Sequence, residues 1–252
     1  MIPNLQPPAT IGDLPSMSLQ EELQFVQQEL QQALTDLYAP LADLARNQFQ
    51  RIQPLTRAGL VLAVGVGDPD HSTLRRQRLS LAAAQEMLFL ALSIHKLLLV
   101  PQPAQQDEQQ KPLMGGIILT GDYCFTRSAI LAAQTDQVQV VELFSQALKA
   151  ISEGLLRNFF AGRVPVSPSQ SEEHAPLYQE QTDLFISGVQ AAAVLANLPE
   201  RATADLVDLA YMLAHQSPPY DLSALRAQAQ TIRQLASPQR TRLDAFLTWL
   251  AA

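Results

Sequence analysis

The sequence predicts an all-α protein, a single bundle of about ten mostly antiparallel helices. Three observations carry this. Apolar residues recur at intervals of three and four through most of the chain. No convincing run of alternating apolar and polar residues marks a strand. Proline-, glycine- and serine-rich stretches fall mainly between the periodic segments, where helices stop. With 252 residues, 47% of them hydrophobic, the chain can bury one large core or two modest ones.

Residues 1–17 carry several prolines and no periodicity, which predicts a flexible arm; residues 18–252 form the helical domain. The first helix opens at Ser18, with Glu21 three positions on, the spacing of a capping box. "APLADLARNQFQRI" continues as a second helix. "PLTRAGLVLAVGVG" is apolar almost all round and stops at glycines, so it predicts a buried helix. "TLRRQRLSLAAAQEMLFLALSIHKLLLV" is a long helix, basic early and apolar late, ended by Pro101 and Pro103. After the polar loop "PQPAQQDEQQKP" come "MGGIILTGDYCFTRSAILAAQ" and "QVQVVELFSQALKAISEGLLRNFFAG", both helical. "RVPVSPSQSEEHAP" is the clearest linker. Two helices separated by Pro199 follow, and then two more close the chain. The last of these starts with Ser237 as N-cap and Pro238 as first helical residue. No tandem repeat or heptad seam stands out, and the abundant glutamine reads as helix-surface filler.

Charge and cysteine content narrow the functions. A net charge of −7 argues against nucleic acid, which needs a clustered basic face. The nearest such cluster, Arg75, Arg76 and Arg78, reads as the polar face of a helix. The single cysteine, Cys124, precludes an internal disulfide and fits a reducing compartment. No basic region precedes an apolar run at the N-terminus, and "LFLALSIHKLLLV" is interrupted by His95 and Lys96 before reaching membrane-spanning length. A cytoplasmic protein that is not integral to a membrane is expected.

Five segments, in order, resemble the trans-prenyl diphosphate synthases of the polyprenyl synthetase family. "RAGLVLAVG" is similar to the family's Arg-Pro-Leu-Leu helix. "AAAQEMLFLALSIHKLLLV" is similar to the helix ending in Leu-Ile-His-Asp-Asp-x-x-Asp. "GIILTGDYCFTRSAILAA" resembles the Gly-Asp helix, and "AISEGLLRNFF" falls where the family has a Gly-Glu-x-x-Gln-like turn. "LYQEQTDLFISGVQAAAVLANL" resembles the Lys-Thr-Ala-x-Leu-Phe helix. Order and spacing carry the likeness, over roughly Arg51 to Gln216. It implies an isoprenoid-synthase-like bundle around a deep apolar cavity, a dimer as the usual assembly, and Mg²⁺-dependent joining of an allylic diphosphate to isopentenyl diphosphate. Releasing a diphosphate requires hard cations on oxygen ligands, which the family's two Asp-Asp-x-x-Asp clusters supply.

Laid on those positions, His95 matches, but the three aspartates of the first cluster become Lys96, Leu97 and Val100. Of the Gly-Lys-x-x-Arg-Pro segment that holds the second diphosphate, only Arg57 survives, among Gln53, Pro54, Leu55, Thr56 and Ala58. The Lys of Lys-Thr is Gln181, beside a matching Thr182. Where the second acidic cluster belongs stand Gln216 and Asp221, split by Pro218 and Pro219. The chain therefore reads as a truncated, diverged member lacking both acidic motifs, and no metal or other cofactor is expected. Arg57 and Lys96 are left as possible diphosphate contacts, although a lone ammonium cannot replace a metal cluster.

Other residues read more plainly. Lys96 suits a helix C-terminus, where the dipole favours a cation and its stem lies over apolar surface. His95 lacks a second metal ligand at a fitting spacing. Gly121 permits close helix packing, and Cys124 is a small buried hydrophobe. "VGVGDPD" has no βαβ context for a nucleotide loop. Asp205 and Asp208 share a helix face that is most simply solvated, and Ser128 and Ser145 lack a nucleophile-elbow setting. Three functions follow: a non-catalytic partner or regulatory subunit, as a homodimer or bound to an active prenyl diphosphate synthase; a protein holding an isoprenoid or other lipid in the cavity; or a prenyltransferase with weak or altered activity.

Overall fold

A computed structural model describes residues 17–51, 55–99, 110–161 and 175–251. Nearly all of the expected arm, and Val100, lie outside the described residues. Those described form ten α-helices and one short 3-10 turn, with no strand among them. In chain order the helices are α1 (Leu19–Thr35), α2 (Ala39–Arg51), α3 (Thr56–Val64), α4 (Ser72–His95), α5 (Gln110–Ala133), α6 (Val138–Ala161), α7 (Ala175–Leu195), α8 (Glu200–Ala214), α9 (Leu222–Thr231) and α10 (Ser237–Trp249). The turn, Lys96–Leu99, extends α4.

The local reasons match the sequence at several points. At α1 both halves of the capping box are present. The Ser18 hydroxyl accepts from the Glu21 N–H, and the Glu21 carboxylate accepts from the Ser18 N–H at 2.6 Å. α3 is buried along all nine residues and sits at the centre, against α1, α4, α7 and α10. Gly59 makes its approach to α10 possible, since a Cβ there would stand 2.8 Å from the Phe246 ring. α7 stops at Asn197, whose φ of 50° is left-handed, with the Leu198 N–H closing back on the Ala193 carbonyl and Pro199 beginning the exit.

Differences have physical causes. The N-cap of α10 is Ala236, without a side-chain bond, and Ser237 is already helical. Glutamine is not merely filler. Gln239 is buried and donates to the Val66 carbonyl at 2.6 Å, and Gln77 donates to the Thr135 carbonyl at 2.7 Å, each satisfying a backbone group left over at a helix end. The stretch Ser72–Leu98 is long and apolar enough to cross a membrane by length and composition. However, 78% of its most apolar window is buried by the bundle.

The largest correction concerns the arginines. Arg75 and Arg78 do not form a polar face; they are 4% and 0% exposed. Arg78 is paired with both Glu22 of α1 and Asp70 of the α3–α4 connection. Arg75 bonds Asp70 at 3.1 Å, and Arg242 of α10 reaches Glu22 at 3.2 Å and the Met17 carbonyl. This buried cluster ties the first and last helices to α4.

The cluster sets an acid response. Burial pushes the Asp70 carboxyl up, but the bonds and charge of Arg78 and Arg75 outweigh it and hold the group below its ordinary value. Glu21, held down by Ser18, and Asp221, held down by Ser223 and Ala224, shift the same way. Such groups stabilise the fold fully above the unfolded carboxylate range of about 4, and the contribution is lost as pH falls through the folded values. Glu22 has the opposite sign: burial raises it more than Arg78 and Arg242 lower it, so its contribution is full at low pH and is lost as pH rises through its folded value. The urea midpoint should therefore fall below about pH 4, and Asp70→Asn should flatten that fall. An unchanged acid limb in the variant would clear Asp70 of responsibility.

Cys124 is fully buried, and desolvation pushes its thiol up to about 12. A thiol reagent should leave the native protein unlabelled at neutral pH and modify this one cysteine after unfolding in urea. Rapid native labelling would show that the α5 face opens.

Candidate functional site

α3, α4 and α7, which carry Arg57, the run leading to Lys96, and Gln181 with Thr182, pack together. α4 is apolar from Leu79 onward, with a single carboxylate, Glu86, in an otherwise uncharged buried stretch. A buried carboxylate demands a partner, and Arg57 of α3 supplies it. Its guanidinium donates to Glu86 Oε2 at 2.8 Å, with side chains 6% and 1% exposed. Glu86 Oε1 accepts from the Ala58 N–H at 2.9 Å. α3 has no side-chain cap of its own at Leu55, so Glu86 also serves its amino-terminal turn. Arg57 lies 3.5 Å above the Phe89 ring and 5.7 Å from the Phe185 ring of α7, which surround its flat face.

Nearby on α7, Gln85 of α4 meets Ser187 at 3.4 Å, and Gly188 lets Val61 approach to within 3.1 Å of where a Cβ would stand. Two open grooves occur elsewhere among the described residues. One is glutamine-lined between α1 and α2; the other runs between α6, α7 and α8 and has Asp208 on its wall.

Two turns beyond Phe89, α4 ends and the 3-10 turn begins at Lys96. Lys96 Nζ lies 2.6 Å from Glu180 Oε2 on α7. At this distance the ammonium is the counter-charge of the carboxylate. Glu180 is 2% exposed, and no other described residue donates to its oxygens. Leu97 is partly buried against the core. A hard cation requires oxygen ligands; Lys96 offers an ammonium and Leu97 a hydrocarbon. The described residues at the first cluster's positions therefore do not fit Mg²⁺.

The other residues singled out from the sequence are scattered. His95 rests against α5, where a Cβ at Gly121 would fall on its ring, and its Nε2 is 3.3 Å from the exposed Asp122 carboxylate. Thr182 is buried and Gln181 partly buried. Gln216 accepts from the Asp221 N–H at 2.8 Å, and Asp221 caps α9 through the Ser223 and Ala224 amides, both at 3.1 Å. Those two residues build a helix start, which leaves no acidic face there. No group of three or more metal-ligating side chains occurs among the described residues. Sequence reasoning missed Glu86, Glu180 and the Arg78 cluster. The available signal was a lone charge inside an apolar run, on two helices that both had to be buried.

Among the described residues the fold is an all-helical bundle in which Arg57, Arg78 and Lys96 pair with carboxylates of the same chain. Solved structures share the fold. A decaprenyl diphosphate synthase from Rhodobacter capsulatus superposes with a TM-score of 0.65 at 16% identity, over 92% of this chain and 96% of that one. A geranylgeranyl pyrophosphate synthetase from the archaeon Geoglobus acetivorans gives 0.64 at 14% identity, over 92% and 99%. A heptaprenyl diphosphate synthase from Staphylococcus aureus gives 0.62 at 13% identity, over 94% and 85%. At these identities the likeness establishes the fold. No protein-family model matches the sequence, and no curated protein matches it significantly.

Proposed function

We propose that this chain is a catalytically inactive, polyprenyl-synthetase-like protein that serves isoprenoid biosynthesis as a partner or regulatory subunit in the cytoplasm. The observation that carries the reading is the Lys96–Glu180 contact. At a position where the catalytic pattern calls for a carboxylate on a metal, this chain carries an ammonium bound to its own carboxylate. Arg57, the other candidate for a diphosphate, is engaged with Glu86 and two aromatic rings. The burial of Phe89, Arg57 and Phe185 against one another weighs against a lipid carrier. A weak prenyltransferase would need an oxygen ligand set that the described residues at the first cluster's positions do not supply.

The docking face is assigned to α5 and α6, where Leu113, Met114, Ile118, Leu119, Val138 and Leu156 are exposed. Exposed large apolar side chains on these two helices favour association, either with a second copy or with an active prenyl diphosphate synthase. Sizing with light scattering should show a dimer, or a stable complex when an active synthase is added, and Leu119→Glu should dissolve it. A monomer that stays a monomer with candidate synthases would count against the partner role. Turnover of an allylic diphosphate with isopentenyl diphosphate and Mg²⁺, after host synthase is removed, would end the inactive reading.

A further inference from the structure

Lys96 and Glu180 are 84 positions apart in sequence, yet they form a close charge contact across the interior. The two ends are unequal. Glu180 is buried with Lys96 as its partner among the described residues, whereas the Lys96 side chain is 25% exposed. A buried carboxylate with no other partner depends on its counter-charge. Further along the same two helices lie Phe89 of α4 and Phe185 of α7, with Arg57 beside them. The helical pattern of α4 gives way to the tighter turn at Lys96, and the C-terminal end of a helix holds a cation favourably.

We propose that the Lys96–Glu180 pair is a latch, an intramolecular ammonium that closes the interior between the carboxyl end of α4 and α7 and keeps it closed without metal or diphosphate. The inference rests on the reading that the first metal cluster is gone. With Lys96 withdrawn, Glu180 loses its counter-charge in an apolar setting, and the favourable response is for the first turns of α7 to open to water. Opening would expose the buried Phe89 and Phe185 to water. Closing costs the lysine only its stem's freedom, because the ammonium sits at the rim.

The test uses the full chain and amide hydrogen exchange. Lys96→Met should raise exchange at least tenfold in peptides covering 178–187 while leaving α10 within twofold of wild type. Glu180→Gln should do the same, and Lys96→Arg should restore protection. The double variant Lys96→Met/Glu180→Leu, which removes both charges, should return the region to near wild-type exchange. Mg²⁺ with inorganic diphosphate should leave wild-type exchange unchanged. Unchanged exchange at 178–187 in Lys96→Met, a uniform rise through the whole chain, or protection by Mg²⁺ and diphosphate would each overturn the latch. Sizing against an active synthase is a separate readout. Loss of complex formation with an intact exchange pattern sinks the partner role alone, and the reverse result sinks the latch alone.

Discussion

Arg78→Met should be among the most destabilising single substitutions in this protein, costing about 3–5 kcal/mol. Arg78 is 0% exposed and is the shared partner of Glu22 and Asp70. Taking it out leaves Glu22, itself 0% exposed, with Arg242 as its remaining counter-ion, and Asp70 with Arg75. The methionine stem fills much of the volume, so the loss is one of charge compensation and not of packing. For a chain of this size the melting temperature should drop on the order of 10 °C. Arg242→Met should cost less, because Glu22 keeps Arg78 as its counter-ion and the Arg242 side chain is itself 14% exposed. Guanidinium unfolding of both variants checks the order. A loss under about 1 kcal/mol for Arg78→Met, the scale of a surface pair, would mean that water enters the cluster freely.

How far the sequence could be read depended on the range of the interaction. Features decided within one turn were legible. Ser18 and Glu21 declare a helix start, and the unbroken apolarity of 58–64 declares a buried helix. The order of the helices, and hence the fold, was also legible, because motif spacing survives where motif chemistry does not. Partners in space were hidden. Arg75 and Arg78 stand three apart, as residues on a solvated face do, and only the turn that returns Asp70 to them, with α1 delivering Glu22 from 56 positions away, shows that they are interior. Lys96 presented the same difficulty. A lysine at a helix end and a glutamate far along the chain each look like surface until packing brings them together. The break after α7 was legible from Pro199, while the left-handed Asn197 that turns the chain carries a weaker signal than glycine does.

Glu86→Leu should be nearly as costly as loss of Arg78, again about 3–5 kcal/mol, for two separate reasons. It removes the ion pair that neutralises Arg57, and it removes the acceptor of the Ala58 N–H at the start of α3. Arg57 would not be wholly without compensation, because the Phe89 ring still lies 3.5 Å below its guanidinium, and a desolvated contact of this kind is worth about 2 kcal/mol. That places the expected cost at the lower end of the range. The double variant Arg57→Met/Glu86→Leu should recover most of the loss, since replacing a whole buried pair with apolar groups is often close to neutral. What remains in the double variant measures the cap on α3 and the cation–ring contact. The same series addresses function. Were Arg57 a spare cation for a diphosphate, wild-type protein would be stabilised by inorganic diphosphate and Arg57→Met would not. With Arg57 committed to Glu86, the unfolding midpoint of both proteins should ignore the anion, and a shift confined to wild type would return Arg57 to the binding site.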